Sequence, residues 1–276
     1  MIMRINVLCD NHAGRKGVGE HGLSVLIEAE RNILFDVGPS ATACRNARVL
    51  DIELYGVDYI ILSHGHSDHG GGLSRVVKET PHSKIIIHPD TARPRYSLST
   101  GTPQYIGLPL SARRVLRQAK DEGRLVYAEK SLRIAENFLV FPVGGRDEIP
   151  GSIDFLHEDE AGDRELDMFR DELALLVEGD DSAALFTGCS HSGLIKTYNA
   201  AAKLTKKSID YIIGGTHLNK ADESQIETVA RFLADRNVML YTGHCTGIRG
   251  YTKLAKILDE SQLQPISSGM QLELPL

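Results

Sequence analysis

Leu62-Ser-His-Gly-His-Ser-Asp-His-Gly-Gly-Gly-Leu73 is the stretch on which the reading of this chain turns. It gathers His64, His66, Asp68 and His69 within six positions, in a protein with 11 histidines in all. The preceding run, Val57-Asp-Tyr-Ile-Ile-Leu62, is apolar and β-branched and predicts a buried strand. After the glycines, Leu73 to Glu79 has helical spacing. The imidazoles and the carboxylate therefore fall on a strand-to-helix turn, where α/β folds carry chemistry. Alternate residues of a strand end point the same way, so His64 and His66 can serve one point. The turn can bring Asp68 and His69 to a second point, and one segment can then feed two divalent ions. Glycine at 65 and at 70 to 72 is expected to give the backbone the freedom to bend.

His-x-His-x-Asp-His after an apolar strand resembles the metal motif of the metallo-β-lactamase superfamily. That resemblance implies an α/β fold, an αββα sandwich of two mixed β-sheets flanked by helices, with the metal site along one sheet edge. Members hydrolyse lactams, thioesters and phosphodiesters, and some do redox chemistry, so the fold leaves the reaction open.

The remaining candidates lie on either side of the motif. Leu34-Phe-Asp-Val-Gly38 ends a strand at Asp36. An aspartate there is common for turn reasons alone; the resemblance implies that it hydrogen-bonds and orients the metal-binding histidines. Asp10 to Gly22 is a polar, glycine-rich loop. It reads either as a surface hairpin or as a flap that brings Asn11 or His21 to a substrate.

Ser182 to Leu194 is a second buried strand running into glycine. The superfamily usually has Thr-Gly-Asp where this chain has Thr187-Gly-Cys189, and zinc β-lactamases also carry a cysteine at the corresponding place. Cys189 thus reads as a soft thiolate ligand or as a small buried apolar residue. His157 is the one histidine between positions 89 and 190, and its acidic surroundings suit a ligand poorly. The nitrogen missing from the set is therefore assigned to His191. Ile209 to Leu218 and Asn237 to Gly247 repeat the strand–glycine–histidine design. His244 matches the last ligand position of the superfamily. His217 has no place in the standard set and is expected to act on the substrate, or else to bond a neighbouring loop.

Together, Glu20-His-Gly-Leu-Ser24, the 63–73 motif, Gly188-Cys-Ser-His191, Gly214-Gly-Thr-His-Leu218 and His244-Cys-Thr-Gly247 resemble the branch named for archaeal dihydropterin–ribofuranosylaminobenzene-phosphate synthases. Many of its members are called only metal-dependent hydrolases. The resemblance implies a phosphorylated, ring-bearing ligand and two divalent ions, zinc before manganese or iron. His64, His66 and His191 would hold one ion and Asp68, His69 and His244 the other, with Asp68 also moving a proton. The first expectation is a hydrolase acting on a small anionic substrate through metal-bound hydroxide. A transferase condensing a dihydropterin with a ribofuranosylaminobenzene phosphate is the second, and a non-enzymatic metal or ligand sensor the third.

The 276 residues, 42% hydrophobic and 25% charged, suit one globular domain with a sizeable core. A net charge of −6 argues against a nucleic-acid-binding face. No apolar run reaches membrane-spanning length, and the strand-like start lacks a signal-peptide layout. Cys9, Cys44, Cys189 and Cys245 show no paired spacing, so a cytoplasmic setting without a disulfide framework is expected. Further expectations are a helix and its exit over 41–56, ending at Gly56, a serine-capped helix from Ser111 to Asp121, and a pocket-wall insertion near 91–110. A strand is expected at Ile153–His157 and a mobile acidic loop from Glu158 to Asp171.

Overall fold

A computed structural model describes residues 2–146, 155–159 and 161–276. Its first strands are β1 (Ile2–Cys9), β2 (Ser24–Glu28), β3 (Asn32–Phe35), β4 (Tyr59–Ile61), β5 (Lys84–Ile87), β6 (Arg95–Ser97), β7 (Gln104–Tyr105), β8 (Leu125–Tyr127) and β9 (Leu132–Ala135). They are followed by β10 (Phe138–Pro142), β11 (Phe155–Glu158), β12 (Arg164–Leu166), β13 (Leu173–Glu178), β14 (Ser182–Thr187), β15 (Ser208–Gly214), β16 (Met239–Thr242), β17 (Leu263–Pro265) and β18 (Gln271–Pro275). The helices are α1 (Thr42–Val49), α2 (Ser67–Gly70), α3 (Leu73–Val76), α4 (Leu110–Asp121), α5 (Leu194–Ala202), α6 (Glu223–Ala234) and α7 (Gly247–Leu254).

Two seven-stranded mixed sheets, ordered β18-β1-β2-β3-β4-β5-β8 and β17-β16-β15-β14-β13-β10-β9, pack face to face. Alternation along each strand sends one set of side chains inward. Val25, Ile27, Phe35, Ile61 and Ile86 of the first sheet meet Phe138, Val140, Leu175 and Phe186 of the second in one core. The opposite faces are covered by helices. Ala43 and Ala47 of α1 and Leu116 of α4 pack on the first sheet; Leu194 of α5, Ile226 and Leu233 of α6 and Leu254 of α7 pack on the second. The architecture is the αββα sandwich. No helix among the described residues is long and apolar enough to cross a membrane.

Strands β14, β15 and β16 run parallel, so their C-terminal ends, and the turns that follow, emerge at one edge. Parallel β3, β4 and β5 deliver Asp36 and the 62–73 turn there from the other sheet.

The helix and exit expected over 41–56 are α1, which ends at Val49, and a 3-10 turn over Leu54–Gly56. Several other local expectations are corrected. The helix after the glycines is a single turn, Leu73–Val76. Helix α4 starts at Leu110 with Pro109 before it, so Ser111 lies inside the first turn and caps nothing. The acidic stretch after Glu158 is not a loop throughout, because β12 pairs with β11. Of the strand expected at 153–157, Ile153 and Asp154 lie outside the described residues, and the described part is β11.

Strands β6 and β7, inside the segment expected as an insertion, join β11 and β12 in a four-stranded sheet ordered β12-β11-β6-β7. Buried Arg95 of β6 pairs with Asp167 and, at 2.9 Å, with Asp171. Asp171 also accepts the Gly65 N–H at 2.8 Å, and Ser67 N–H donates to the Ile106 carbonyl at 2.7 Å. The small sheet is thus fastened directly to the histidine-rich turn.

Candidate metal centre

The turn glycines serve a purpose other than the expected bending. Gly71 (φ −63°) and Gly72 (φ −71°) have ordinary right-handed backbones. A Cβ on Gly72 would lie 2.3 Å from the Ser40 carbonyl, so what the position needs is close approach between chain segments.

Two groups of imidazoles converge at the sheet edge. The His64, His66 and His191 rings lie 4.6 to 5.0 Å apart, centroid to centroid. His69 and His244 form the second group, with Nε2 atoms 3.1 Å apart and Asp68 Oδ2 3.4 Å from the His244 Nε2. Cys189 Sγ stands between them, 3.2 Å from His69 Nε2. Potential ligand atoms of His64, Cys189 and His191, and likewise of His69, Cys189 and His244, lie within 4.8 Å of one another.

The hydrogen-bond partners assign the tautomers. Fully buried Asp36 accepts the Ser63 N–H (2.7 Å) and, on Oδ2, both the Ser63 hydroxyl (2.7 Å) and the His69 Nδ1–H (2.6 Å). With its proton given to Asp36, Ser63 Oγ accepts from His64 Nδ1 at 2.9 Å. One carboxylate therefore fixes the Nδ1 proton of two rings, one in each group, and turns the Nε2 of both toward the site. Asn11 does the same for His244. Its Oδ1 accepts the Gly22 N–H at 3.1 Å and must therefore accept from His244 Nδ1 at 2.9 Å. The Asn11 side chain is engaged with the His244 ring and carbonyl. His21 lies at the mouth, 3.4 Å from Asp68, with its ring centroid 5.1 Å from that of His244.

This donor set fits divalent cations. Nε2 of His64, Nε2 of His66 and both ring nitrogens of His191 are buried without a hydrogen-bond partner among the described residues. Orphaned buried nitrogens cost free energy unless a cation takes them up. The Nε2 atoms of His69 and His244 instead hydrogen-bond each other at 3.1 Å, and a cation held by both rings would displace that shared proton. Burial pushes His66 down to about 3, and burial with the neighbouring imidazoles holds His64 and His191 well below the usual range. Burial also acts to lower His69, but Asp36 and Asp68 outweigh it and raise the ring to about 9. Burial tends to raise Asp68; the adjacent His69, His21 and His244 nonetheless hold its carboxyl well below the usual carboxylate range.

Strain concentrates at the same place. Of seven non-glycine residues with positive φ among the described residues, Asp36, Phe169, Ser190, His217 and His244 line the site or hold its residues. Each such backbone costs on the order of 1–3 kcal/mol and persists where its surroundings over-determine it. Phe169 stacks flat on His191 (3.9 Å, 9°), and the buried Glu172 accepts the His191 N–H at 2.7 Å.

A family description, the metallo-β-lactamase superfamily, matches residues 17–172. The chain belongs to the metallo-β-lactamase superfamily. Its superfamily relatives include an uncharacterized protein of Methanocaldococcus jannaschii, 30% identical over 92% of this chain and 94% of the relative. A 7,8-dihydropterin-6-methyl-4-(β-D-ribofuranosyl)-aminobenzene-5'-phosphate synthase of the same organism is 30% identical over 90% of this chain and 88% of its own. A crystal structure of a metal-dependent hydrolase of the β-lactamase superfamily superposes with a TM-score of 0.84 at 28% identity, covering 99% of each chain. The zinc-bound PqqB of Methylobacterium extorquens, at 12% identity and a TM-score of 0.54 over 98% and 100% of the two chains, shares the fold.

The structure also brings in residues that sequence reasoning passed over. Ser63 sits inside the motif, and its hydroxyl chemistry was the available signal. Cys245 is adjacent to His244, but nothing local marks it: its neighbours Cys189 and His217 are 56 and 28 positions away. Phe155 and Phe169, which flank His66 and His191, carry no sequence signature.

Proposed function

We propose that this protein is a dinuclear metal-dependent hydrolase of a small anionic, phosphorylated substrate. The observation that carries the reading is the pair of imidazole groups, with buried lone pairs already aimed inward and tautomers set by Asp36, Ser63 and Asn11. When bound, two divalent ions lower the pKa of water to supply a nucleophile and polarise a phosphoryl oxygen. His64, His66 and His191 would hold one ion; Asp68, His69 and His244 would hold the other. Cys189 lies between the groups and can serve either. Imidazole and thiol donors favour zinc over manganese or iron.

The chain's own groups supply the rest. Asp68 keeps 21% of its side chain exposed and lies 3.4 Å from the largely exposed His21. That pairing gives a proton a route between the centre and solvent. The Arg146 guanidinium, over the Phe169 ring and bonded to the His191 carbonyl, puts a fixed positive charge at the same edge and suits an anion.

A second reading, a transferase condensing a dihydropterin with a ribofuranosylaminobenzene phosphate, is favoured by the synthase relative. One experiment separates the two. Protein purified without chelator is analysed for metal, then assayed against phosphomonoesters, phosphodiesters and lactones, and against the two synthase substrates with product analysis. Two ions per chain with metal-dependent hydrolysis support the first reading, and a condensed product supports the second. Substrate binding without turnover in metal-loaded protein refutes both.

A further inference from the structure

Cys245 stands outside both imidazole groups, yet its surroundings are built. The turns after parallel β14, β15 and β16 carry Cys189, His217 and Cys245 to one point. Potential ligand atoms of the three lie within 4.8 Å of one another. Cys245 Sγ accepts the His217 N–H at 3.3 Å and lies 3.5 Å from the Cys189 carbonyl, to which its S–H donates. A Cβ on Gly215 would lie 2.4 Å from that sulfur, so the glycine is what admits it. His217 takes a left-handed backbone (φ 54°), and its Nδ1 is buried with no hydrogen-bond partner among the described residues. Its ring centroid is 4.2 Å from that of His191.

We propose that Cys245 is a metal ligand: with Cys189 and His217 it forms a thiolate-rich position for a soft divalent ion, beside the two imidazole groups and sharing Cys189 with them. Two thiolates and one imidazole are a donor set that zinc accepts with a fourth position left open. Thiolates select soft ions over manganese. On binding, each thiol releases its proton to solvent, so the two negative sulfurs balance the ion's charge. This assignment moves His217 from the substrate role expected of it to that of a ligand. It also makes the nuclearity of the centre depend on the metal: a hard ion stays among His and Asp, and a soft one also draws on the thiol edge. The inference rests on the proposed reading only in taking Cys189 as a ligand.

The test uses full-length, metal-free protein titrated with Co²⁺ and, separately, with Mn²⁺. The expected result is a near-ultraviolet thiolate-to-cobalt charge-transfer band that falls by about half in Cys245→Ser and vanishes in the Cys189→Ser/Cys245→Ser double variant. Mn²⁺ affinity should be unchanged in Cys245→Ser. His217→Asn should keep the band but weaken Co²⁺ binding roughly tenfold or more. Circular dichroism confirms that each variant is folded. An unchanged band and Co²⁺ affinity in Cys245→Ser overturn the proposal. So does a Cys189–Cys245 disulfide, found by thiol titration, that persists through reduction and cobalt loading. If Mn²⁺ fails to bind any form while the cobalt band behaves as expected, the imidazole reading fails and this one stands.

Discussion

Replacing Asp36 by Asn tests the tautomer relay at its source. The amide keeps the shape of the carboxylate, and its oxygen can still accept the Ser63 N–H. Its NH2, however, faces the Ser63 hydroxyl and His69 Nδ1, where Oδ2 now accepts at 2.7 and 2.6 Å. A donor there forces His69 to offer a lone pair at Nδ1 and to carry its proton on Nε2. That proton points at Cys189, 3.2 Å away, and at His244, 3.1 Å away, into the position proposed for the ion. Ser63 must likewise turn its proton toward His64 Nδ1, which places the His64 proton on the ligating side. Outer-shell changes of this kind typically cost 10- to 100-fold in metal affinity, about 1.4–2.8 kcal/mol for each ion. Because one carboxylate serves both rings, both ions should weaken. Ser63→Ala removes only the His64 acceptor, so it should weaken one ion and spare the other. The assay is stepwise metal titration of chelator-stripped protein against a competing indicator, with circular dichroism to show that the fold persists. An Asp36→Asn protein that binds two ions with wild-type affinity refutes the relay.

Metal uptake should depend on pH differently at the two groups. His69, raised to about 9 in the metal-free protein, must lose a proton to bind an ion, so affinity there should fall roughly tenfold per pH unit below about 9. His66, pushed down to about 3, is already neutral, so its group should bind with little change between pH 5 and 8; calorimetry in buffers of different ionisation enthalpy counts the protons. The same shift makes the His69 contribution to metal-free stability complete below about pH 6.5 and lost as pH rises through about 9, readable as a falling denaturation midpoint. His66→Ala should lose metal and activity while keeping its fold; full metal and full activity would remove His66 from the ligand set. Arg95→Met leaves the Asp167 and Asp171 carboxylates buried without their cation, and urea denaturation should show a loss of about 3–5 kcal/mol.

Much of this was legible in the sequence because it is local. An apolar strand, an alternating pair of histidines and a turn occupy a dozen consecutive residues, and the period of the strand alone places His64 and His66 on one side. The same design in the 182–194, 209–218 and 237–247 segments marked where further donors leave the second sheet. Fold class followed from the family resemblance that this motif carries. Charge and composition misled where burial was hidden: the acidic stretch after Glu158 looked solvated, yet Asp167 and Asp171 are paired with Arg95 in the interior. What only the tertiary structure decided is which distant groups meet. Asn11 reaches His244 across 233 positions, and Cys245 reaches Cys189 across 56. Neither meeting is written in a local pattern. The first depends on how the two sheets pack, which brings the loop after β1 to the end of β16, and the second on the parallel register of β14, β15 and β16, which determines whose C-terminal ends share an edge. A side chain's partner, and with it a ring's tautomer or a thiol's access to metal, is a property of that edge rather than of the segment that carries the residue.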